Sequence, residues 1–320
     1  MRRKKNILFL LLSLVVILVV SLFIACDDGL QVSDNKEMPS LLQNKVEQEK
    51  EIIYFGVISR YNPVLMYKRY QPVMDYLSEK TPYIFKLKLG STYEEAVNNL
   101  HYNITQVASL GGVTFSESFV KFGARAILRS KNENGKGYYQ SYIVTRKDNE
   151  ITSLKDLIGK TFAFASIKST SGNLYPRYLL WKNGINLEDL KYVNLKHHDA
   201  VAVGVLKGKY FAGALKDVAA KSFLAKGLKV IAKSEPIPSV PIVVSKDADP
   251  KMVSALKKAL LAVDPEKPEF KDIVKDWDDE FKYGFIEASN DDYKVILKMI
   301  RDIPAKCGES CHPKNIFAKD

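Results

Sequence analysis

The sequence predicts an α/β protein of two lobes, and three observations carry that reading. Short apolar runs alternate with helical patterns along most of the chain. After a polar segment ending near Lys50, about 270 of the 320 residues remain, too many for one small core and suited to two of roughly 100 to 150 residues each. One strand-then-helix plan also appears twice, about a hundred residues apart.

The elements follow in order. The runs "IIYFGVI", "IFKLKL", "ITQVASLG", "ARAILRS", "YIVTR", "TFAFAS", "YVNL", "FAGALK", "LKVIAKS" and "IVVSK" read as strands. Helical patterns cover Val64–Glu79, Tyr93–Leu100, Ser171–Asn183, Ala200–Lys207 and Pro250–Ala262. "STYE" from Ser91 to Glu94 fits a capping box. Asp249 suits an N-cap and Pro250 the first helical position, after which Leu256, Ala259, Leu260 and Val263 line one face. Alternation at this spacing implies mostly parallel sheets flanked by helices.

The repeated plan joins "YIVTRKDNEITSLKDL" (Tyr142–Leu157) to "PIVVSKDADPKMVSALKKAL" (Pro241–Leu260). Each has an apolar strand, a basic and an acidic residue, and a capped helix. Read as the two crossings between lobes, these strands make residues 142–244 one lobe and residues 51–141 with 245–306 the other. A ligand then binds between the lobes, beyond the carboxyl ends of the strands.

The ends of the chain speak to location. "MRRKKNILFLLLSLVVILVVSLFIAC" has a basic start, an apolar run and a small residue before Cys26, the pattern of an export signal. Because Cys26 stands where the apolar run stops, we read residues 1–25 as a lipoprotein signal peptide and Cys26 as the lipidated N-terminus. A retained signal anchor is the alternative. Residues 26–50 are polar and charge-rich, the composition of a flexible tether. The expected location is the outer face of the cytoplasmic membrane, with the folded part periplasmic.

The whole chain has 48 basic and 37 acidic residues, a net +11. Removing residues 1–25 takes away four basic side chains and leaves 44 against 37, a net +7. The positive charge is scattered, with no arginine-rich stripe, which argues against a nucleic-acid partner.

"SIKSTSGNLYP" places Ser169, Thr170, Ser171 and Gly172 where a strand hands over to a helix. A helix start offers unpaired N–H groups and a partial positive charge. Hydroxyls add donors there, and glycine lets a ligand approach the backbone. Residue types alone leave an oxyanion cradle and plain helix capping equally open.

"GKTFAFASIKSTSGNLYPRYLL" resembles a stretch of the phosphate, phosphite and phosphonate-binding proteins of ABC importers, the PhnD-like family. "FGVISRYNPVLMYKRYQPVMDYLSEK", "VASLGGVTFSESF", "YYQSYIVTRKDNEITSLKDLIGKTFAF", "HHDAVAVGVLKGKYFAGAL" and "IPSVPIVVSKD" follow in that family's order. The resemblance implies the two-lobed type II periplasmic-binding-protein fold and a monomer that carries a small phosphorus oxyanion to an ABC permease. It also implies that Ser169, Thr170 and Ser171 donate to the oxyanion, that His198 reaches it, and that Tyr61 and Phe115 line the pocket. Gly112 stands where the family often has proline or asparagine, Phe115 where tyrosine is common, and Lys216 near a position that is often polar or acidic. The residues offer no negative group for an amine-bearing ligand, which favours phosphate, phosphite or a small apolar phosphonate.

The four histidines are His101, His197, His198 and His312, and the only ligand-like spacing among them is in the tail. No metal site is expected. Ser169 lacks the G-x-S-x-G elbow and no partner base is evident, so no enzyme activity is expected.

Residues 307–320 form a Cys/His tail. Cys307, Cys311 and His312 make C-x3-C-H, one residue longer than the usual haem c attachment spacing. A disulfide between two exported cysteines is the first reading, and covalent haem c with His312 as axial ligand is the second. A sensory or redox lipoprotein that uses the same cleft is therefore the alternative to a transport protein.

Overall fold

The structure, a computed structural model, describes residues 50–302. The expectations at residues 1–25, Cys26 and the tether, and at Cys307, Cys311 and His312, lie outside the described residues.

Two mixed sheets form the lobes. The first runs β13 (Phe285–Glu287), β4 (Arg125–Ser130), β12 (Pro241–Val244), β3 (Val107–Ser109), β1 (Glu51–Val57) and β2 (Tyr83–Leu89) across its width. The second runs β10 (Leu228–Lys233), β6 (Ser141–Arg146), β9 (Ala212–Lys216), β7 (Thr161–Phe164) and β8 (Lys191–Asn194). Parallel pairing is found where helices connect successive strands, among β1, β2 and β3 and among β7, β8 and β9. The strands that follow the crossings, β6 and β12, pair antiparallel with all their neighbours. They enter their sheets from the other lobe, so they run against the local direction.

The crossings are short. β5 (Tyr138–Tyr139) and β11 (Ile237–Pro238) pair antiparallel as a small ribbon, Ile237 opposite Tyr139 and Pro238 opposite Tyr138. β6 then opens the second lobe. β12, however, sits between β3 and β4 in the first sheet. The return to the first lobe therefore comes before Pro241, and the boundary expected at residue 244 is corrected accordingly. Both repeated strands directly follow a crossing, which is why they share a pattern.

The helices follow from local chemistry. In α1 (Pro63–Lys80) the Asn62 side chain accepts from the Leu65 N–H, and Pro63 takes the first helical position. Met66, Tyr70, Val73, Met74 and Leu77 turn inward. α2 (Tyr93–His101) is capped by Thr92, which accepts from the Glu95 N–H at 3.0 Å, while Glu95 accepts from Ser91 N at 2.7 Å. The expected Ser91–Glu94 capping box does not form: Thr92 is the cap, and Glu95 rather than Glu94 turns back, to the Ser91 N–H just before it. α7 (Pro250–Leu261) begins as expected, with Asp249 accepting from Lys251 and Met252.

α3 (Gly112–Phe122) follows β3 directly. A helical segment over residues 170–182 follows β7; its first turn, Thr170–Leu174, is π-helical and leads into α4 (Tyr175–Lys182). α5 (His198–Leu206) and α6 (Asp217–Leu224) complete the second lobe, and α8 (Pro268–Val274) lies in the first. α9 (Lys294–Asp302) packs on α3, and its Ile296, Met299 and Ile300 belong to an apolar cluster that also holds Val113 and Leu174. Among the described residues, no helix is long and apolar enough to cross a membrane.

Candidate functional site

The carboxyl ends of β1, β3, β7 and β9 meet between the lobes. Each releases a short segment there: Ser59–Tyr61 after β1, Leu110–Gly111 after β3, Ala165–Ser169 after β7, and the start of α6 after β9.

The hydroxyl run occupies the centre. Ser169, Thr170 and Ser171 are all buried. Ser169 is the N-cap, its Oγ accepting from the Gly172 N–H at 3.0 Å. The capping reading therefore holds for Ser169 itself. Thr170 and Ser171 lie one step further in and do something else. Thr170 Oγ1 accepts from the Val113 N–H, in the first turn of α3, at 2.9 Å. The helix start in the second lobe thus faces the start of α3 in the first, and one point lies under two helix N-termini. The Tyr139 hydroxyl lies near the side chains of Thr170 and Ser171, and the Tyr93 hydroxyl near that of Ser169.

Two glycines lie at this approach. A Cβ on Gly172 would fall 2.7 Å from His198 Cε1 and 2.4 Å from Ala165 Cβ. A Cβ on Gly112 would fall 3.1 Å from Thr170 Oγ1 and 3.2 Å from Ile296 Cγ1. A Cβ at 112, where the family often has proline or asparagine, would crowd Thr170 by only a few tenths of an ångström.

His198 is buried at the first residue of α5. Its Nδ1 accepts from the Lys216 N–H at 3.2 Å, so the proton is on Nε2, which lies 3.3 Å from Ser169 Oγ and donates to it. Burial, with Lys216 beside it, holds the imidazole down to about 3. His198 is therefore a neutral donor at working pH. Sequence reasoning found no base near Ser169, and the structure supplies an imidazole, but in the wrong state for one. Its Nε2 already carries a proton, and Nδ1 meets an N–H rather than a carboxylate. The pair can donate hydrogen bonds; it cannot activate the serine as a nucleophile.

A charged group that the sequence did not reveal borders the hydroxyls. Arg60 is buried and donates to Tyr70 Oη at 2.7 Å and to Ser109 Oγ at 3.1 Å. Its Nε lies 3.4 Å from Glu280 Oε2, and Lys216 Nζ of the other lobe lies 2.7 Å from Glu280 Oε1. Burial alone would push the Glu280 carboxyl up, but Arg60 and Lys216 hold it below the usual carboxylate range. Burial and the Glu280 charge push Asp278 up, although Arg69 lies 3.3 Å from it. Arg60, Lys216 and Glu280 together leave one net positive charge beside the neutral donors.

Two of the expected lining residues have other places. Phe115 is in the first-lobe core, packed edge-on against Tyr293 with ring centres 4.8 Å apart. It lies on the inner face of α3, so it does not line the site. Tyr61 is buried beside Arg69, 5.2 Å from its ring, and next to Asp278 and Glu280. It borders the charged group rather than the hydroxyls. The residues that sequence reasoning missed, Arg60, Tyr93, Tyr139 and Glu280, come from four separate segments and carry no motif.

The family model for the periplasmic substrate-binding proteins of phosphonate ABC transporters matches residues 55–293. The chain belongs to this family. It is 26% identical over 225 residues to a phosphate-import protein PhnD of Mycolicibacterium smegmatis, covering 65% of this chain and 70% of that one. It is 24% identical over 185 residues to a protein named as an ABC transporter phosphite-binding protein in Prochlorococcus marinus, covering 55% of this chain and 62% of that one. Among solved structures, a binding-protein component of a Pseudomonas aeruginosa phosphonate transporter superposes with a TM-score of 0.72 at 21% identity, covering 84% of this chain and 94% of that one. A Prochlorococcus marinus PhnD1 solved with methylphosphonate gives 0.71 at 23% identity, covering 79% and 98%. The two-lobed type II periplasmic-binding-protein fold expected from the sequence is the fold these structures share.

Proposed function

We propose that this protein is a lipid-anchored binding component that captures a small phosphorus oxyanion, either phosphate, phosphite or a small phosphonate, and delivers it to an ABC permease. The observation that carries this reading is the meeting of two helix starts at Thr170, surrounded by hydroxyls and the neutral Nε2–H of His198. Such a group grips an oxyanion by short-range hydrogen bonds without a salt bridge. Closure of the lobes is then the functional event, and no bond is made or broken.

Calorimetric titration with phosphate, phosphite and methylphosphonate tests it. At least one should bind tightly, and Thr170→Ala should weaken it by about tenfold or more, the size of a lost hydrogen bond to a charged group. Raising ionic strength with a non-competing salt should change the dissociation constant little, because enclosed contacts are screened less than surface charge. Equal binding of sulfate, or a steep loss with salt, would mean a nonspecific basic surface.

Anchoring is proposed through Cys26. Mass spectrometry of the membrane-extracted protein should show a diacylated Cys26 N-terminus, with Cys307 and Cys311 protected from thiol reagents until reduced. An intact Met1 would overturn the lipoprotein reading, and a haem Soret band would favour the redox alternative for the tail.

A further inference from the structure

We infer that Arg177 is a positioning residue: through Asn173 and Asn194 it holds the turn Thr170–Leu174 in its π-helical shape, and so sets how tightly the cleft binds. This rests on the oxyanion-binding reading above and names the side chains behind the hydroxyl run that keep it in place.

A π turn needs support. It is wider than an α turn, carries one more residue, and is found mostly as a single turn within an α-helix. Here the Leu174 N–H reaches back to the Ser169 carbonyl at 3.0 Å and the Tyr175 N–H to the Thr170 carbonyl. Tightening to the α register would drop one residue from the turn and rotate the residues before it by about 100° against those after it. Thr170 would then leave the Val113 N–H, and the Gly172 carbonyl would leave the Ala165 N–H, now 2.8 Å away. The hydroxyl run faces α3 only while the extra residue stays.

A set of buried hydrogen bonds opposes that tightening. The Asn173 side chain, within the turn, donates from Nδ2 to the Ile167 carbonyl at 2.9 Å. Asn194, at the end of β8, donates from Nδ2 to the Ala165 carbonyl at 2.9 Å and to Asn173 Oδ1 at 2.8 Å. The two backbone carbonyls fix the sense of both amides, because a carbonyl can only accept. Arg177 meets both amide oxygens with one planar fork: Nε donates to Asn173 Oδ1 at 2.7 Å and Nη2 to Asn194 Oδ1 at 2.9 Å. Arg177 is 1% exposed, and the rings of Phe164 and Tyr192 stand 4.3 and 4.9 Å from its guanidinium carbon. Burial pulls the guanidinium down to about 10, so it stays charged at neutral pH and its hydrogen bonds are charge-assisted. The end of β7, the loop after it, the π turn, α4 and β8 are thus tied to one rigid group. A lysine offers no such fork.

Calorimetric titration and hydrogen exchange at single amides test the inference on wild type, Arg177→Lys, Asn173→Leu and the double variant. Arg177→Lys keeps the charge, but one ammonium cannot hold two amides in a fixed plane. It should weaken phosphate and methylphosphonate alike by about tenfold, and Asn173→Leu should do the same. The double variant should lose well under the product of about a hundredfold, because both changes break one network. Without ligand, the Leu174 and Tyr175 amides should exchange at least about tenfold faster in Arg177→Lys than in wild type, while the amides of β9, in the middle of the same sheet, keep their protection. Wild-type affinity in Arg177→Lys overturns the inference, since charge alone would then suffice. So does exchange that quickens in β9 as much as in the turn, which is what mere support of the lobe would give. Losses that multiply in the double variant overturn it too. Wild type that binds neither ligand, nor phosphite, overturns the proposed function instead, and the exchange comparison still stands. Should the variants fail to fold, wild-type exchange decides. Its ligand-free Leu174 and Tyr175 amides should be protected at least about a hundredfold, and exchange at the rate of an unstructured chain overturns the inference.

Discussion

Adding one methyl group at residue 172 should abolish measurable oxyanion binding. The Gly172→Ala Cβ would sit 2.4 Å from Ala165 Cβ, 2.7 Å from His198 Cε1 and 3.1 Å from Ser169 Oγ, closer than carbon atoms pack. Relief is hard to find. The Ala165 N–H donates to the Gly172 carbonyl at 2.8 Å, so the two backbones are tied at the point of collision. Moving the imidazole instead breaks its bonds to Ser169 and to the Lys216 N–H. Moving the π-helical turn displaces all three hydroxyls. We expect a loss of about 100-fold or more, equivalent to about 2.7 kcal/mol. Gly112→Ala is the milder control. Its Cβ would meet only side-chain ends, at 3.1 and 3.2 Å, which can give by a few tenths of an ångström. Titration calorimetry alongside thermal melting separates lost binding from lost folding. A folded Gly172→Ala protein with wild-type affinity would show that the turn is not where the ligand sits.

The same contrast explains what could be read in the chain. The strands and the first helices were legible because their signals are local: alternation, caps and helical spacing. Asp249 and Pro250 announce α7 within two residues. The repeated strand plan was legible because both copies follow a crossing. The hydroxyl run was legible because Ser169, Thr170, Ser171 and Gly172 are contiguous, yet its two roles were not separable. Whether a hydroxyl caps its own helix or reaches another lobe depends on Val113, which is distant in sequence. Glu280 was illegible for a similar reason. Its partners Arg60 and Lys216 are distant in sequence, and only the fold buries it against them. Phe115 was misplaced because resemblance fixes a residue's position along α3 but not the face it takes; the packing against Tyr293 decides that.

Acid should destabilise the protein through His198, well above the pH at which carboxylates titrate. In the unfolded chain this histidine takes a proton near its ordinary value of 6.5, and in the folded protein only near 3. Between those two values the unfolded chain binds more protons, so stability rises with pH across that window. The contribution is complete above about pH 6.5 and is lost progressively as pH falls toward 3, by several kcal/mol at most. Its cause is burial first, then the Lys216 charge beside the ring. Glu280 adds to the loss lower down. Its carboxyl is held below its ordinary value, so its contribution is present above that value and lost as pH falls through the folded one. Asp278, pushed up by burial and by Glu280, acts in the opposite direction. Burial pushes Asp278 and Asp217 up toward this window as well, so the histidine is isolated by comparing two proteins between pH 6.5 and 5, not by the window alone. His198→Gln provides the comparison, since an amide can still accept from the Lys216 N–H and donate to Ser169. Melting temperatures of the two proteins without ligand should diverge in slope there, wild type falling more steeply than His198→Gln as pH drops from 7 to 5. Stability is the right measurement, because phosphorus oxyanions change their own protonation near neutrality and would confuse a binding profile. Equal slopes would mean that His198 titrates in the folded protein as an ordinary histidine, and the neutral-donor account of the site would have to be given up.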